Sequence, residues 1–394
     1  MIYLDSAATT AVAPEVLERM LPYFSEGYGN PGAIYRLGRD AAVAVNAARA
    51  SVAKMFHTTP EHILFTSGGS EGNSMVFRAQ MEKLFQRGKS HVVTTEIEHD
   101  SVLRSAGRFM KNCCHVTYLT PDESGFISAE NAVSHITPKT GMVSIMFANN
   151  EIGTVNDIAK IGAFCRANGI LFHCDCVQAA GQYDLNADEN GFDFATISAH
   201  KIHGPKGIGA LYVRDPKNLE PLICGGSEQE YGLRGGTENV PGIIGMGAAC
   251  ELAESLRMAS TVQIASVKQV FVRSLLKHLG VNKLQEAGIS YNGTPWFEQG
   301  KILNLTIDGV SGESAILTMD ALGACISAGS ACTSHESTPS HVLRAIGLTD
   351  EQARHSIRLS FDRTTTERET EQGGELLATC ISKLREYGTE EVKL

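Results

Sequence analysis

From about residue 60 to 215, short β-rich runs alternate with stretches of helical periodicity, and this alternation limits the possible folds more than any other feature of the chain. The runs cover 62–66, 91–97, 115–119, 141–148, 170–175, 194–198 and 209–213, with helical stretches at 70–86, 100–112 and 157–168 between them. Apolar strands separated by helices imply α/β architecture, with a mostly parallel sheet covered on both faces. Two helices are expected to flank it. Pro14 suits the first turn of one, over 14–24, and the other, over 38–57, repeats apolar residues at Ala41, Val45, Ala48, Val52 and Met55. After Pro241 a long helical region runs to about Gly280, followed by expected strands at 302–307, 324–327 and 356–361 and helices near 313–322, 340–346 and 366–387. This second pattern reads as a smaller α+β domain packed on the larger one.

Composition narrows the partners. The 44 acidic residues outnumber the 34 Lys and Arg, which argues against bulk attraction to nucleic-acid phosphates or anionic lipid. The start, MIYLDSAATT, lacks the basic and apolar regions of a secretory signal, and no run of about 18 apolar residues occurs, so a cytoplasmic location is expected. Ten cysteines, at 113, 114, 165, 174, 176, 224, 250, 325, 332 and 380, include no CxxC pair and no His at zinc-finger spacing. They are expected to be reduced thiols, most of them small buried hydrophobes and at most one or two reactive.

Three segments can carry chemistry together. The first, 65–73 (FTSGGSEGN), follows a strand and opens a helix, so its glycines and free N–H groups could receive a phosphate near Gly69 and Ser70; Ser70 and Glu71 could equally cap the helix. The second is Lys201 in 198–209 (SAHKIHGPKGIG): at a buried strand end its amine would be desolvated and usable as a nucleophile, with Ser198 and His200 beside it to bind an anion, or it could be a solvated loop lysine. The third, 170–175 (ILFHCD), ends in Asp175, with Gln178 three residues on. An acid at a parallel strand's carboxyl end can point into the ligand crevice and hold a pyridinium nitrogen protonated, or can cap a helix.

With these elements in place the chain resembles the class V aminotransferase-like family of pyridoxal 5'-phosphate enzymes (fold type I), and within it the cysteine desulfurases of the NifS/IscS group. The likeness runs through 3–10 (YLDSAATT), 28–31 (YGNP), 66–71 (TSGGSE), 96–99 (EIEH), 149–153 (NNEIG), 198–209, 234–237 (RGGT), 327–334 (SAGSACTS) and 357–360 (IRLS). The resemblance implies a seven-stranded, mostly parallel sheet in a large cofactor-binding domain over 14–257. It also implies a small domain built from 1–13 and 258–394, which carries the catalytic cysteine loop.

The resemblance implies that Lys201 is the Schiff-base lysine, Asp175 the partner of the pyridine nitrogen, His99 the residue stacked on the ring and a proton carrier, and Gln178 a hydrogen-bond partner of the ring hydroxyl. It implies phosphate contacts from Gly69, Ser70, Ser198 and His200. Thr237 would reach the phosphate of a neighbouring subunit, which makes a homodimer part of the site. Arg358 and Asn150, with Asn30 nearby, resemble the residues that hold the substrate carboxylate. Cys332, flanked by small and polar residues, is the implied persulfide-forming thiol, and it could serve as a shared iron–sulfur ligand; no intrinsic metal is expected. Two positions depart from the pattern: Ser70 stands where threonine is usual, and 30–36 reads NPGAIYR where members often have Asn-Pro-Ser-Ser followed by His.

The expected reaction takes sulfur from L-cysteine, leaving alanine and a Cys332 persulfide that passes to an acceptor protein. Iron–sulfur assembly, tRNA thiolation and DNA phosphorothioation all draw on such enzymes. A selenocysteine lyase, another C–S lyase or a transaminase would share the fold and cofactor, and a non-catalytic scaffold would share the fold alone.

Overall fold

The computed structural model describes residues 1–110, 114–226, 229–294, 300–328 and 339–386. Its strands are β1 (Ile2–Tyr3), β2 (Ile63–Thr66), β3 (His91–Thr95), β4 (His115–Leu119), β5 (Thr140–Ser144), β6 (Leu171–Asp175), β7 (Phe194–Ser198), β8 (Gly209–Val213), β9 (Ile289–Asn292), β10 (Ile302–Ile307), β11 (Ala324–Cys325) and β12 (Ser356–Ser360). Strands β2 to β8 form one seven-stranded sheet in the order β2-β8-β7-β6-β5-β3-β4, in which β8 runs antiparallel to both neighbours and all other pairings are parallel. Helices cover both faces, so β2, β3, β5, β7 and β8 are buried along their whole length, as their unbroken apolar runs require. Within this sheet only the edge strand β4, His-Val-Thr-Tyr-Leu, is open to solvent along most of its length.

The expected helix over 14–24 is two helices, Pro14–Met20 and Pro22–Ser25, because Pro22 has no N–H to continue the ladder. A 40-residue helix, Val240–Leu279, starts where the Asn239 side chain accepts from Gly242 N–H and stops at Gly280, whose φ of 68° is the left-handed cap. Its first half packs into the apolar core around the large sheet, through Ile243, Met246, Ala249 and Cys250. Its second half, through Ile264, Val267, Phe271 and Leu275, packs into a separate core with Ile2, Leu4, Leu303, Leu305, Ile357 and Leu377. That second core lies against an antiparallel sheet, β12-β10-β9, and the parallel pair β1-β11. Strand β9 was not expected: it is four residues between Gly288 and Gly293, too short to show a period.

One buried ion pair ties three elements together. Arg49, on the helix Arg36–Met55, makes a two-pronged contact with Glu230 (2.7 and 2.6 Å), and its Nη1 also donates to the Ile63 carbonyl at the start of β2 (2.9 Å). Glu230 in turn accepts from the Phe65 N–H in β2 (2.7 Å) while holding a left-handed backbone, φ 43°. The side chains are 5% and 3% exposed. Removing one partner leaves a buried unpaired charge, so Glu230→Ala should lose about 3–5 kcal/mol in denaturant unfolding. The double variant Arg49→Met/Glu230→Leu should recover most of that loss; equal destabilisation in both would contradict this role.

Candidate active site

The carboxyl ends of the parallel strands point to one edge of the sheet, and three of them deliver the residues singled out in the sequence. Strand β2 passes into the helix Gly69–Gln86 through Gly68, whose φ of 154° suits glycine. That helix has no side-chain cap, so the free N–H groups of its first turn remain available to an anion. Glu71 does not supply one: it accepts from Ser67 N–H (2.7 Å) and pairs with Arg234 (2.9 Å), fastening the 225–236 loop beside the helix. A Cβ built on Gly68 would lie 3.9 Å from Ser198 Oγ, and one on Gly69 only 2.7 Å from Val177. The ends of β2, β6 and β7 therefore meet at the helix N-terminus, with Ser198 buried and Ser70 exposed.

Beyond β7 a single turn, Ala199–Lys201, presents the lysine. Its Nζ donates to the carbonyls of Ala7 (2.5 Å) and Ala8 (2.7 Å), so the N-terminal segment lies directly over it. Gln178 reaches the same Ala7 carbonyl with Nε2 (3.0 Å), and its buried Oε1 has no partner among the described residues. His200 touches Thr9 Oγ1 through Nδ1 (3.1 Å), and burial and then Lys201 push its ring down to about 4, so it is neutral near pH 7.

Asp175, buried at the end of β6, accepts from Asn73 Nδ2 (2.7 Å) and Val177 N–H (3.0 Å). The Asn73 amide also donates to Ser101 Oγ (3.0 Å), and Ser101 Oγ meets His99 Nδ1 (2.8 Å). One hydrogen-bonded chain thus sets the carboxylate and the imidazole relative to each other. Asn73 and Ser101 were not assigned a role from sequence, although Asn73 closes the glycine-rich motif and Ser101 follows His99 by two.

On the facing side, buried Arg358 of β12 donates from Nη2 to Asp5 (2.7 Å) and from Nη1 to the Asn150 carbonyl (2.9 Å), and its Nε has no partner among the described residues. Asn150 therefore sits at Arg358 by its backbone. Asn30 does not join this group by any hydrogen bond described: it is exposed, and its Oδ1 accepts from Gly32 N–H (3.0 Å). Thr237 is exposed. Cys332 lies outside the described residues. On its N-terminal side Ser327 exchanges backbone hydrogen bonds with Arg358, and on its C-terminal side Ser340 Oγ donates to Glu151 (2.6 Å).

Most of the described thiols are buried. Burial pushes Cys165 and Cys380 up to about 12 and raises Cys174 and Cys250 as well, which makes them poor nucleophiles; Cys224 is exposed. Among the described residues no group of three or more His, Cys, Asp or Glu could hold a metal ion. The arrangement can seat an anion at a helix end, hold an aromatic nitrogen protonated and present an amine beside an arginine.

Known proteins match this chain along nearly its whole length. The Aminotransferase class-V family model covers residues 2–372. A protein named cysteine desulfurase IscS from Clostridium botulinum is 39% identical, the match covering 98% of this chain and 95% of the relative. A solved NifS-like protein superposes with a TM-score of 0.87 at 30% identity, over 97% of this chain and 99% of that one. A structure titled SspA in complex with cysteine gives 0.79 at 35% identity, over 93% and 100%.

Glu98, adjoining His99, is wholly buried and accepts from Met146 N–H (2.7 Å) and Thr95 Oγ1 (3.1 Å). Burial, with Asp175 adding to it, pushes its carboxyl from the ordinary 4.5 up to about 8. The native state then holds a proton that the unfolded chain releases, so stability present in full below about 4.5 is lost as pH rises through about 8. Glu98→Gln should remove this component: between about pH 5 and about pH 9 the Tm of the parent chain should fall more steeply than that of the variant. Parallel curves would contradict it.

Proposed function

The chain belongs to the class-V aminotransferase family, and we propose that it is a pyridoxal 5'-phosphate-dependent cysteine desulfurase, taking sulfur from L-cysteine and releasing L-alanine. The observation that carries this reading is the convergence of Lys201, Asp175 and an uncapped helix N-terminus at one edge of the sheet. Cysteine as substrate is supported by the relatives named cysteine desulfurase and by the neighbour solved with cysteine.

The residues suit the cofactor. Free N–H groups at Gly69 and Ser70, with Ser198 beside them, would take the phosphate, while His200, neutral at working pH, would add a contact. Asp175 would hold the pyridine nitrogen protonated, with Asn73 keeping its carboxylate in place. The unpartnered amide oxygen of Gln178 marks a buried polar position that a ring hydroxyl would satisfy. When bound, pyridoxal phosphate supplies an aldehyde carbon for an amine and a ring that accepts the electron pair released at the substrate α-carbon.

Lys201 would hold that aldehyde carbon and, as a free amine, would accept a proton from the substrate; the Ala7 and Ala8 carbonyls fix where its Nζ lies. Arg358 takes the substrate carboxylate with its planar fork, beside Asn150 and with Asn30 at the entrance. Ser101 engages His99 at Nδ1, which would leave Nε2 to carry a proton beside a bound cofactor. Cys332 as thiolate attacks the substrate sulfur: the carbon–sulfur bond breaks, a sulfur–sulfur bond forms, and cysteine plus thiol becomes alanine plus persulfide. The persulfide passes to an acceptor protein, and the same cysteine is suited to a shared iron–sulfur ligand.

The remaining readings are of the same standing. Exposed Thr237 fits a homodimer in which it reaches a neighbour's phosphate. The two cores fit a large domain of 14–257 and a small one of 1–13 with 258–394. A cytoplasmic enzyme fits a chain in which no helix among the described residues is long and apolar enough to cross a membrane.

With sulfur-labelled cysteine, the parent chain should release alanine and carry the label on protein. Lys201→Ala should lose the visible absorbance of lysine-bound cofactor together with alanine release. Cys332→Ala should keep the absorbance and lose the protein-bound label. A Cys332→Ala enzyme that still labels itself and turns over like the parent would replace this reading with a lyase or transaminase.

A further inference from the structure

His99 directly precedes the helix Asp100–Met110, and its carbonyl starts that helix by accepting from the Val102 and Leu103 N–H groups (2.8 and 3.1 Å). Its ring does what a serine or aspartate cap ordinarily does: Nδ1 accepts from the Ser101 N–H, two residues on (3.1 Å). A backbone N–H can only donate, so the ring nitrogen it meets carries no hydrogen. On a neutral imidazole the single N–H is then at Nε2. Both hydrogen bonds described for the ring are at Nδ1.

The Ser101 hydroxyl acts in the same sense, and its direction is set from the far end of the chain. The buried Asp175 carboxylate offers only acceptor atoms, so the Asn73 atom 2.7 Å from its Oδ2 is the amide nitrogen. The second hydrogen of that nitrogen goes to Ser101 Oγ (3.0 Å). Ser101 Oγ therefore accepts from Asn73, and its own hydrogen is left to point at His99 Nδ1, 2.8 Å away. Turning the amide over would set Asn73 Oδ1 against the carboxylate. Oδ1 instead stays buried with no partner among the described residues, which shows that the demand of Asp175 prevails over that of the amide oxygen.

We propose that Ser101 is a positioning residue that fixes the tautomer of His99, with Asp175 setting the direction through Asn73: Nδ1 is bare and Nε2 carries the hydrogen. The inference rests on the proposed reaction, in which His99 lies beside the cofactor. A neutral ring in this tautomer has no vacant nitrogen at Nε2, and its bare nitrogen is engaged twice by Ser101. His99 thus starts the reaction as a hydrogen-bond donor and not as the base.

The test reads the ring directly, by nitrogen NMR of the apoprotein with isotope-labelled histidine at about pH 9, above the ordinary imidazole range. The His99 signals are those lost in His99→Gln. In the parent chain Nδ1 should resonate as a bare ring nitrogen and Nε2 as a protonated one; a hydrogen on Nδ1 would overturn the proposal. Ser101→Thr, which keeps the hydroxyl, should give the parent pattern. Ser101→Ala and Asn73→Leu should each raise the share of the opposite tautomer by about fivefold, the worth of one hydrogen bond, although Asn73 does not touch the ring. Ring signals unchanged in both would remove Ser101 and Asn73 from this role. If neither variant folds, the parent spectrum alone decides the tautomer. These spectra need no cofactor, so a chain that shows them and yet gains no visible absorbance with pyridoxal phosphate loses the functional reading beneath, not the tautomer.

Discussion

The arrangement of this molecule depends on the path of its first thirteen residues. Ile2 and Tyr3 add a parallel strand beside Ala324 and Cys325, which anchors the segment in the small unit. Ser6 and Ala7 donate to the Ser360 carbonyl and hydroxyl, and Asp5 holds Arg358. The segment then crosses to the large unit, where Thr10 N–H donates to the His200 carbonyl (2.9 Å) and Ala13 N–H to the His203 carbonyl (3.0 Å). Between the two anchors, Ala7 and Ala8 aim their carbonyls at Lys201. One short stretch of backbone therefore joins both units and lines the site. Arg358 and Lys201 are both hydrogen-bonded to this one segment, three residues apart along it.

The polar bookkeeping of the interior points to the same place. Buried polar atoms in folded proteins nearly always find partners, and leaving one unsatisfied costs about 1–3 kcal/mol. Among the described residues seven buried side-chain polar atoms lack a partner, and four of them, Asn73 Oδ1, Glu98 Oε2, Gln178 Oε1 and Arg358 Nε, belong to residues at the carboxyl edge of the sheet or the strand facing it. Each of these residues has its other polar atoms well bonded, so the gaps do not reflect poor packing. A site that must exchange contacts with a cofactor and a substrate leaves such atoms open.

Much of this was legible in the sequence because buried parallel strands announce themselves. The runs at 115–119, 194–198 and 209–213 match β4, β7 and β8 residue for residue, and Asp175 and Lys201 fall at strand ends where the alternation placed them. What escaped depends on tertiary contacts that no local pattern encodes. The Asn73–Ser101–His99 chain joins residues 28 apart through two helices, and nothing in either segment alone reveals it. Glu230 adopts a left-handed conformation only because Arg49, 181 residues away, pays for it. The break at Leu21 was visible in Pro22 but outweighed by the apolar period on either side.

Charge explains why this edge differs from the rest of the surface. The chain carries a net charge of −10, yet at this edge Lys301 lies in the field of Lys201 and Arg358, with Asp362 nearby and Asp5 paired to Arg358. Asp5 is committed to Arg358 and Asp362 to Ser6, Thr364 and His203, so neither carboxylate is open to pair with an amine there. In a low-dielectric cleft cations so placed are costly while it is empty and favourable once anions enter. Pyridoxal phosphate and an amino-acid carboxylate bring that negative charge. Histidines that were protonated would overshoot the balance, and burial prevents this by pushing His200 down to about 4. The same field, after burial, disfavours a proton on the Lys301 amine.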